Sequence, residues 1–301
     1  MIKCITPTPR TWGRADVMTA FAEAKELGPW VSLHDPIEWI ARDGILTTGA
    51  AVYESSTWKK YLIEEHELEL MLQIDPFRTP REGTLGSKLP AGFQDRNFAS
   101  SDVRIAYMAE VIRLVDLYKP QLLVLAMEIN SYAAENPDDF DNFVSLFVTT
   151  KARVKRLFGF GSAAPKVGVS FQWEQMLKLG NQPGGWSALK AFVGKQDFIG
   201  ISSYPQWRFG DAALIPKSYY RVPLKRVPIV FTELGWTAGE QQTKFIERLP
   251  ELFKGASSLC AGVDVANWIA LHDGAYGRPF DLMGLIGPDG PRPAYEAWRK
   301  L

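Results

Sequence analysis

The chain has 301 residues, of which 34 are basic and 34 are acidic, so its formal net charge at pH 7 is zero. That balance argues against a protein dedicated to nucleic acid or to an anionic membrane surface, because such proteins carry an excess of basic residues on one face. Proline, glycine or a charged residue interrupts every apolar run well before the roughly 20 residues that a transmembrane helix needs. The sequence therefore predicts no nucleic-acid partner and no membrane span.

The two cysteines, Cys4 and Cys260, are too few for a disulfide framework or a zinc knuckle. They are expected either to pair once or to stay as buried thiols. The first residues contain no apolar run followed by a small-residue cleavage site, so no signal peptide is expected in the sequence as it stands. The cellular compartment is left open, and the chain is expected to be a monomer.

Short apolar segments rich in β-forming residues alternate with amphipathic segments of helical period. Most of the apolar segments are continuous runs, as in parallel strands that are covered on both faces. The predicted strands are Ile2–Ile5, Trp30–Leu33, Glu69–Ile74, Gln121–Met127, Lys166–Phe171, Asp197–Ser202, Val227–Thr232 and Val263–Ala270. The predicted helices are Ala15–Leu27, Ser101–Tyr118, Asp138–Phe158, Glu174–Leu179, Ala188–Val193, Gln241–Leu252 and Ala294–Lys300.

Eight strands alternating with helices predict an α/β fold, namely a single (β/α)8 TIM barrel that forms one domain over residues 1–301. The alternative is an open doubly wound sheet, but its glycine-rich phosphate loop is missing, since the one similar fragment, Gly159–Gly161, follows a helix. At the start of the predicted helix Asp138–Phe158, Asn136 is the expected N-cap and Pro137 the first helical residue. The stretch Phe77–Ser100 is expected to be an extended loop, of a kind that often lines barrel active sites.

Two glutamates directly follow apolar runs, Glu128 on the fourth predicted strand and Glu233 on the seventh. A carboxylate at the end of a buried strand is unfavourable unless it is paired, hydrogen-bonded or used in catalysis. One such glutamate alone could cap a helix or form a structural ion pair. Two of them indicate an active site, because a barrel builds its active site at the carboxyl ends of its strands.

Motifs for several other chemistries are missing: the sequence has no HExxH, no paired CxxC, no P-loop and no GxSxG. Its histidines are His34, His66 and His272, and a three-histidine metal site would need all of them. His66 lies in a strongly charged helical run. No metal and no cofactor is therefore expected.

Several segments resemble the clan A glycoside hydrolases, retaining enzymes with one glutamate at the end of strand four and another at the end of strand seven. Residues 227–236 (VPIVFTELGW) resemble their nucleophile segment, and residues 197–205 (DFIGISSYP) resemble their strand six. Residues 119–130 (KPQLLVLAMEIN) resemble strand four of the endo-β-1,4-galactanase family, where a Gly-Asn-Glu-Ile-Asn pattern carries the acid/base, and the strand-six segment is also most similar to that family. Residues 267–268 resemble the strand-eight tryptophan platform, and residues 284–295 the passage into the last helix. The matches cover about residues 119–301.

The resemblance implies a retaining hydrolase of β-glycosidic bonds in a polysaccharide or oligosaccharide, with endo-β-1,4-galactanase-like action and a carbohydrate as its partner. Glu233 would be the nucleophile that forms a glycosyl-enzyme. Glu128 would protonate the leaving oxygen and then deprotonate the incoming water. Tyr204 would donate a hydrogen bond to Glu233. One departure is Met127, which stands where most of the clan has an asparagine that binds the sugar 2-hydroxyl.

Other predicted substrate-binding residues lie near the carboxyl ends of the predicted strands. They are His34, Arg78, Asn130, Gln172, Trp173, Trp207, Asn267 and Trp268. Asn130, Gln172 and Asn267 are the candidates to replace the missing 2-hydroxyl contact. Trp207 and Trp268 are candidates to stack on the C–H face of a pyranose.

Three alternatives stay open. One is a carbohydrate-binding barrel that has lost turnover, which the methionine at position 127 favours. Another is a clan A enzyme with a different specificity, such as a mannanase, a glucanase or an exo-acting β-glycosidase. A barrel isomerase or aldolase is the third, but the sequence lacks both a phosphate-binding glycine-rich loop after strand seven or eight and a lysine at a strand end.

Overall fold

The computed structural model of the chain describes residues 1–49, 51–77, 84–159, 164–222, 227–256 and 262–301, without the side chains of residues 51–56. The strands are β1 (Ile2–Ile5), β2 (Trp30–Pro36), β3 (Trp39–Arg42), β4 (Ile45–Thr48), β5 (Glu69–Asp75), β6 (Leu122–Val124), β7 (Lys166–Gly168), β8 (Ser170–Gln172), β9 (Ile199–Ser203), β10 (Ile229–Leu234), β11 (Val263–Trp268), β12 (Ile286–Gly287) and β13 (Gly290–Pro291). The helices are α1 (Arg14–Leu27), α2 (Ala51–Glu65), α3 (Ser101–Tyr118), α4 (Ile129–Glu135), α5 (Pro137–Phe158), α6 (Trp173–Leu179), α7 (Trp186–Ala191), α8 (Gln206–Phe209), α9 (Glu240–Ala256) and α10 (Pro293–Lys300).

Within the described residues, nine strands form one parallel sheet in the order β7-β6-β5-β2-β1-β11-β10-β9-β8. Helices separate most of the strands along the chain, so the predicted (β/α)8 fold class is confirmed. The predicted fifth strand is two short strands, β7 and β8. They are divided at Val169 and stand at the two ends of the order.

One element that the sequence analysis missed is the antiparallel hairpin of β3 and β4. Its turn is Asp43–Gly44, and both residues have positive φ angles, 52° and 73°. An Asp-Gly pair between two β-forming segments is a strong hairpin signal, because it accepts the two left-handed residues of a type I′ turn. Inside the hairpin, Trp39 is buried and its indole nitrogen donates to the carbonyl of Pro76 at 2.9 Å.

The chain forms two compact units, and the prediction of a single domain over residues 1–301 stays a prediction. The first unit comprises Met1–Leu33, Leu62–Glu69 and Phe198–Leu301. In it, β1 pairs with β11 on one side and with β2 on the other, and β10 lies between β9 and β11. Cys4 on β1 is a buried free thiol, and Cys260 lies outside the described residues.

The second unit comprises His34–Tyr61 and Leu70–Asp197, with β6 between β5 and β7. Its core contains an aromatic cluster in which the rings of Phe77 and Tyr132 stack at 4.5 Å and the ring of Phe98 meets Phe143 edge-on at 5.0 Å. Asp139 accepts hydrogen bonds from the Tyr132 hydroxyl at 2.6 Å and from the Phe98 amide at 3.1 Å. These contacts hold the start of the long loop after β5 against helix α4 and its end against helix α5.

The N-terminus of α5 differs in one detail from the prediction. Asn136 does occupy the N-cap position and Pro137 the first helical position. The side chain of Asn136 makes no capping hydrogen bond, and its amide nitrogen instead lies 3.4 Å from the carbonyl oxygen of Tyr132. The preceding helix α4 ends directly at this residue, so the amide serves the C-terminus of α4 rather than the start of α5.

Asp35, on β2, is a buried acid in the second unit and is 3% exposed. Burial raises the pKa of Asp35 to about 6; Glu110 adds to this rise, while Lys59 and Arg113 oppose it. Glu110 is itself held by Arg113 at 2.6 and 2.9 Å and by the Thr48 hydroxyl at 2.9 Å. The hydrogen bond from Thr48 to Glu110 thereby connects hairpin strand β4 to helix α3. Glu110 is a second buried carboxyl group, and it interacts electrostatically with Asp35.

We expect Asp35 to make unfolding depend on pH in a defined direction. Between its ordinary pKa of 3.8 and about 6, the folded protein keeps the Asp35 proton that the unfolded chain loses. The contribution of Asp35 to stability is therefore greatest below about pH 4, falls as the pH rises to about 6, and stays low above it. Asp35→Asn should raise the free energy of unfolding by about 2–3 kcal/mol near pH 7.5, with a gain that shrinks towards zero near pH 4.

Urea unfolding of the variant and of the wild type at both pH values measures this difference. The matched control is Asp95→Asn, because the Asp95 side chain is 71% exposed. It should change stability little at either pH. A gain for Asp35→Asn that is equal at the two pH values would contradict the assignment.

Candidate active site

Glu233 is the penultimate residue of β10 and is 5% exposed. Two hydroxyl groups from β9 and the residue after it donate hydrogen bonds to its Oε2 atom: Tyr204 at 2.6 Å and Ser202 at 3.0 Å. The predicted hydrogen bond from Tyr204 to Glu233 is thus confirmed. The pairing of β9 with β10 shifts register between Phe231 and Glu233, and such an irregularity re-aims side chains at the end of a strand.

Gly235, two residues after Glu233, explains part of the strand-seven motif. A Cβ atom at this position would lie 2.7 Å from the ring of Tyr204 and 2.8 Å from the sulfur of Met283. Real Cβ contacts are longer, so any larger residue would displace the tyrosine. A glycine at position 235 therefore lets the ring of Tyr204 lie where its hydroxyl reaches the carboxylate.

An aromatic surface adjoins this pair of residues in the same unit. The ring of Tyr204 lies 4.8 Å from that of Trp207 and 5.1 Å from that of Phe280. Trp207 is 48% exposed, so part of its indole face is open to solvent. Phe280 was missed by the sequence analysis because the loop after β11 has no periodicity that would single it out. The prediction that Trp207 contacts the substrate is consistent with this exposure and stays a prediction.

Trp268 and Asn267 lie in the core rather than at a ligand surface. Trp268 has no exposed area, its indole nitrogen donates to the carbonyl of Met283 at 2.8 Å, and its ring packs against Trp298 at 5.7 Å. Asn267 is also fully buried, and its amide donates to the Thr6 hydroxyl and to a backbone carbonyl of β10. The structure therefore corrects the expectation that Trp268 is a stacking platform, since a sugar cannot reach its ring.

Glu128 belongs to the other unit and precedes helix α4 as its N-cap residue. Its backbone is left-handed, with φ 48° and ψ 42°, a conformation uncommon for a residue other than glycine. Its amide donates to the Ser170 hydroxyl at 2.9 Å, and its carbonyl accepts from the Ser131 amide at 2.9 Å. Such strain persists where surrounding contacts hold it, and it is concentrated at functional sites. The half-buried side chain of Glu128 is thus set on a fixed backbone between the end of β6 and the start of α4.

Asn130, Gln172 and Trp173 serve the local structure of this unit. The Asn130 amide accepts from the backbone nitrogen of Gln172 at 2.8 Å and donates to its carbonyl at 3.1 Å. The Gln172 side chain accepts from the backbone of Gln175 and so caps helix α6. Trp173 is fully buried, with its ring edge-on to Trp186. Met127 is buried as well, so neither Met127 nor Asn130 presents a free polar group to a sugar.

The remaining predicted positions are His34 and Arg78. His34 lies half-buried in β2, and the Gln73 amide is 2.9 Å from its Nε2 atom. Arg78 lies outside the described residues. Among the residues that the structure describes, no group of three or more histidine, cysteine, aspartate or glutamate side chains could hold a metal ion. In the same described residues, no helix is long and apolar enough to cross a membrane.

Comparison with known proteins shows similarity in fold and not in sequence. No family model matches the chain, and no curated protein matches it. A GH5_18 protein from Bifidobacterium longum subsp. longum ATCC 55813 matches with a TM-score of 0.71 at 15% identity, over 100% of this chain and 78% of that one. The exo-β-1,4-mannosidase Op5Man5 from Opitutaceae bacterium strain TAV5 has a TM-score of 0.68 at 12% identity, over 99% and 58% of the two chains. A fungal β-1,4-galactanase has a TM-score of 0.65 at 14% identity, over 100% and 99%.

The chain has the fold of these glycoside hydrolases. At such identities the likeness establishes the (β/α)8 architecture, and the predicted resemblance to clan A is confirmed at that level.

Proposed function

We propose that this protein is a retaining glycoside hydrolase acting on β-linked sugars, with Glu233 as the nucleophile and Glu128 as the acid/base. The observation that carries the proposal is the setting of Glu233. A carboxylate buried at the carboxyl end of a barrel strand accepts two hydroxyl hydrogen bonds on a single oxygen. Barrel enzymes place their reacting groups at that end of the strands, and a buried carboxylate is retained where it is hydrogen-bonded and used.

The hydrogen bonds from the hydroxyl groups of Ser202 and Tyr204 are consistent with a role of Glu233 as the nucleophile. Hydrogen bonds to an ionised acceptor stabilise its charged form and fix its orientation. A carboxylate held in this way would attack the anomeric carbon, form a covalent glycosyl-enzyme, and release it when water attacks in the second step. Glu128, on its fixed left-handed backbone, would protonate the leaving oxygen in the first step and take a proton from water in the second.

For the substrate, we propose a β-1,4-linked glycan. The resemblance of strands four and six to the endo-β-1,4-galactanase family supports a galactan, as does the fold match over almost the whole fungal β-1,4-galactanase. A β-1,4-mannoside is the second candidate, which the match to an exo-β-1,4-mannosidase supports. The exposed ring of Trp207, next to the residue that binds Glu233, offers an aromatic face for a pyranose ring in either case.

The donors to Glu233 give a first prediction on activity. Tyr204→Phe removes the shorter hydrogen bond and should lower kcat/KM by about 10- to 100-fold, since hydrogen bonds to charged groups contribute about 1.5–3 kcal/mol. Ser202→Ala should lower it less. The matched control is Ser203→Ala, because the hydroxyl of Ser203 lies 3.0 Å from that of Tyr220. Steady-state kinetics on an aryl glycoside would contradict the assignment if all three variants behaved alike.

Mass spectrometry of the intact protein tests the proposed function directly. The protein is incubated with 2-deoxy-2-fluoro glycosyl fluorides of galacto, manno and gluco configuration, which trap a glycosyl-enzyme because the fluorine slows the second step. One adduct that maps to Glu233 would establish the retaining mechanism, and the reactive sugar would identify the glycone. Absence of an adduct, together with no sugar released from galactan, mannan or β-glucan by a folded sample, would favour the non-catalytic carbohydrate-binding barrel.

A further inference from the structure

Helix α3 has a second apolar stripe on its outer side, which a helix packed on one sheet does not need. The stripe follows the spacing i, i+3, i+4, i+7 and consists of Ile105, Met108, Ala109 and Ile112. Ile105 is 64% exposed, whereas the inner stripe of the same helix, which includes Tyr107 and Val111, is buried. The outer side of α9, by comparison, is charged, as is usual for a helix surface in contact with solvent. Its exposed residues include Glu240, Lys244 and Glu247.

The outer stripe of α3 forms one wall of a surface groove of about 530 Å³. The other wall is helix α5, which contributes Thr149, Ala152, Arg153 and Arg156. The guanidinium of Arg104 donates to the carbonyl of Asn142 at 3.1 Å and joins the two helices near their N-terminal ends. We call the exposed surface of α3 and α5 around this groove the α3–α5 face. It combines an apolar floor with a charged rim, as protein interfaces do.

The charges on the outer side of α5 form a self-complementary pattern. Asp138 and Asp141 are exposed in its first turns, and Arg153 and Arg156 are exposed in its last turns. By helical period these four residues share one side of the helix. The pair Asp138 and Arg156 and the pair Asp141 and Arg153 are both centred on position 147. A second α5 helix laid antiparallel about a two-fold axis at that height would therefore place each aspartate level with an arginine.

Two observations go beyond the usual preference for acids at the start of a helix and bases at its end. Within the described part of the chain, none of these four side chains forms an ion pair, whereas exposed pairs such as Lys217 with Glu251 do occur elsewhere. The centre of the same side of α5 carries the small residues Ser145, Thr149 and Ala152. Small side chains let two helices approach closely, so the middle of the pattern suits helix packing and its ends suit charge pairing.

We propose that the α3–α5 face is the contact of a symmetric homodimer, in which α5 packs antiparallel to α5 of a second copy and each copy covers the apolar stripe of the other. A two-fold contact uses one surface patch twice, which requires a patch that is complementary to itself. This patch is complementary in charge, has small residues at the centre of α5, and includes the apolar stripe of α3. The homodimer differs from the monomer that the sequence analysis expects, and it does not depend on the proposed enzymatic activity.

Sedimentation equilibrium of the full chain, from about 1 to 100 µM, tests the proposal. We expect reversible association towards twice the monomer mass of 33.7 kDa, weakened by added salt. Ile105→Glu should raise the dissociation constant at least about tenfold. Ile45→Glu is the matched control, since Ile45 is 67% exposed on hairpin strand β4, outside the face, and this variant should leave association unchanged.

A charge exchange tests the pairing itself. Asp141→Arg and Arg153→Asp should each weaken the dimer, because each brings like charges together at two symmetric positions. The double variant restores opposite charges and should recover most of the lost affinity. Circular dichroism of each variant confirms that it is folded. A wild type that stays monomeric up to 100 µM would overturn the proposal, as would equal effects of the two isoleucine variants or a double variant no better than the single ones.

Discussion

Glu233→Gln should abolish turnover while leaving the fold intact, with a loss in kcat of at least about 10³-fold. The amide has nearly the shape of the carboxylate and keeps an oxygen that the hydroxyls of Tyr204 and Ser202 can bind. It cannot form a glycosyl ester that water then hydrolyses, because an amide is a very poor nucleophile. The expected result is therefore an inactive protein with native circular dichroism and no adduct from the 2-fluoro sugars.

Stability separates this catalytic role from a structural one. Glu233 is 5% exposed, and burying a charge is unfavourable even when it is hydrogen-bonded. We therefore expect the thermal midpoint of Glu233→Gln to equal or exceed that of the wild type, as happens when an active-site residue is kept for function at the expense of stability. A structural carboxylate would show the reverse, with lower stability and retained activity. Glu240→Gln, at an exposed position in α9, should change neither property.

The sequence predicted the fold well because the signals behind it are local and repeated. Buried parallel strands appear as continuous apolar runs, and each of the eight predicted strands corresponds to strand structure in the protein. The hairpin of β3 and β4 was missed because its strands are partly exposed and are not continuous apolar runs, although the Asp43–Gly44 turn between them carries a recognisable signal. Strand ends were less accurate. The predicted fourth strand runs to Met127, whereas β6 ends at Val124 and the chain then turns towards the left-handed Glu128.

The candidate site was less predictable, because the sequence shows which residues follow a strand but not where their side chains point. The hydrogen bond from Tyr204 to Glu233 was foreseen from the motif that contains them, and the structure has it. Trp268 and Asn130 follow or end strands in the same way, yet both are buried and satisfied by backbone partners. Phe280 joins the aromatic surface through a loop whose path depends on tertiary packing. A position near a strand end therefore makes a residue a candidate for the active site. Tertiary packing then determines whether its side chain lies in the core or at the surface of the site.

The effect of Glu128→Gln on the rate should depend on the leaving group of the substrate. An aryl glycoside with a poor leaving group needs a proton on the departing oxygen, so its kcat/KM should fall by about 10²- to 10⁴-fold. A dinitrophenyl glycoside needs no such proton, and formation of the glycosyl-enzyme should be nearly as fast as in the wild type. Its hydrolysis still requires a base, so the intermediate should accumulate and appear as a burst of dinitrophenol. Pre-steady-state absorbance measurements on both substrates resolve the two steps.

The backbone at position 128 makes glutamine the right replacement. The left-handed conformation there is as strained for glutamine as for glutamate, so this substitution changes the carboxyl group and leaves the conformational energy alone. Glycine would relieve the strain and confuse the comparison. Glu135→Gln, at the exposed end of the same helix, is the matched control and should leave both substrates unaffected. If Glu128→Gln slowed both substrates equally and produced no burst, Glu128 would act by holding the start of α4 in place, and the acid/base would have to be another residue.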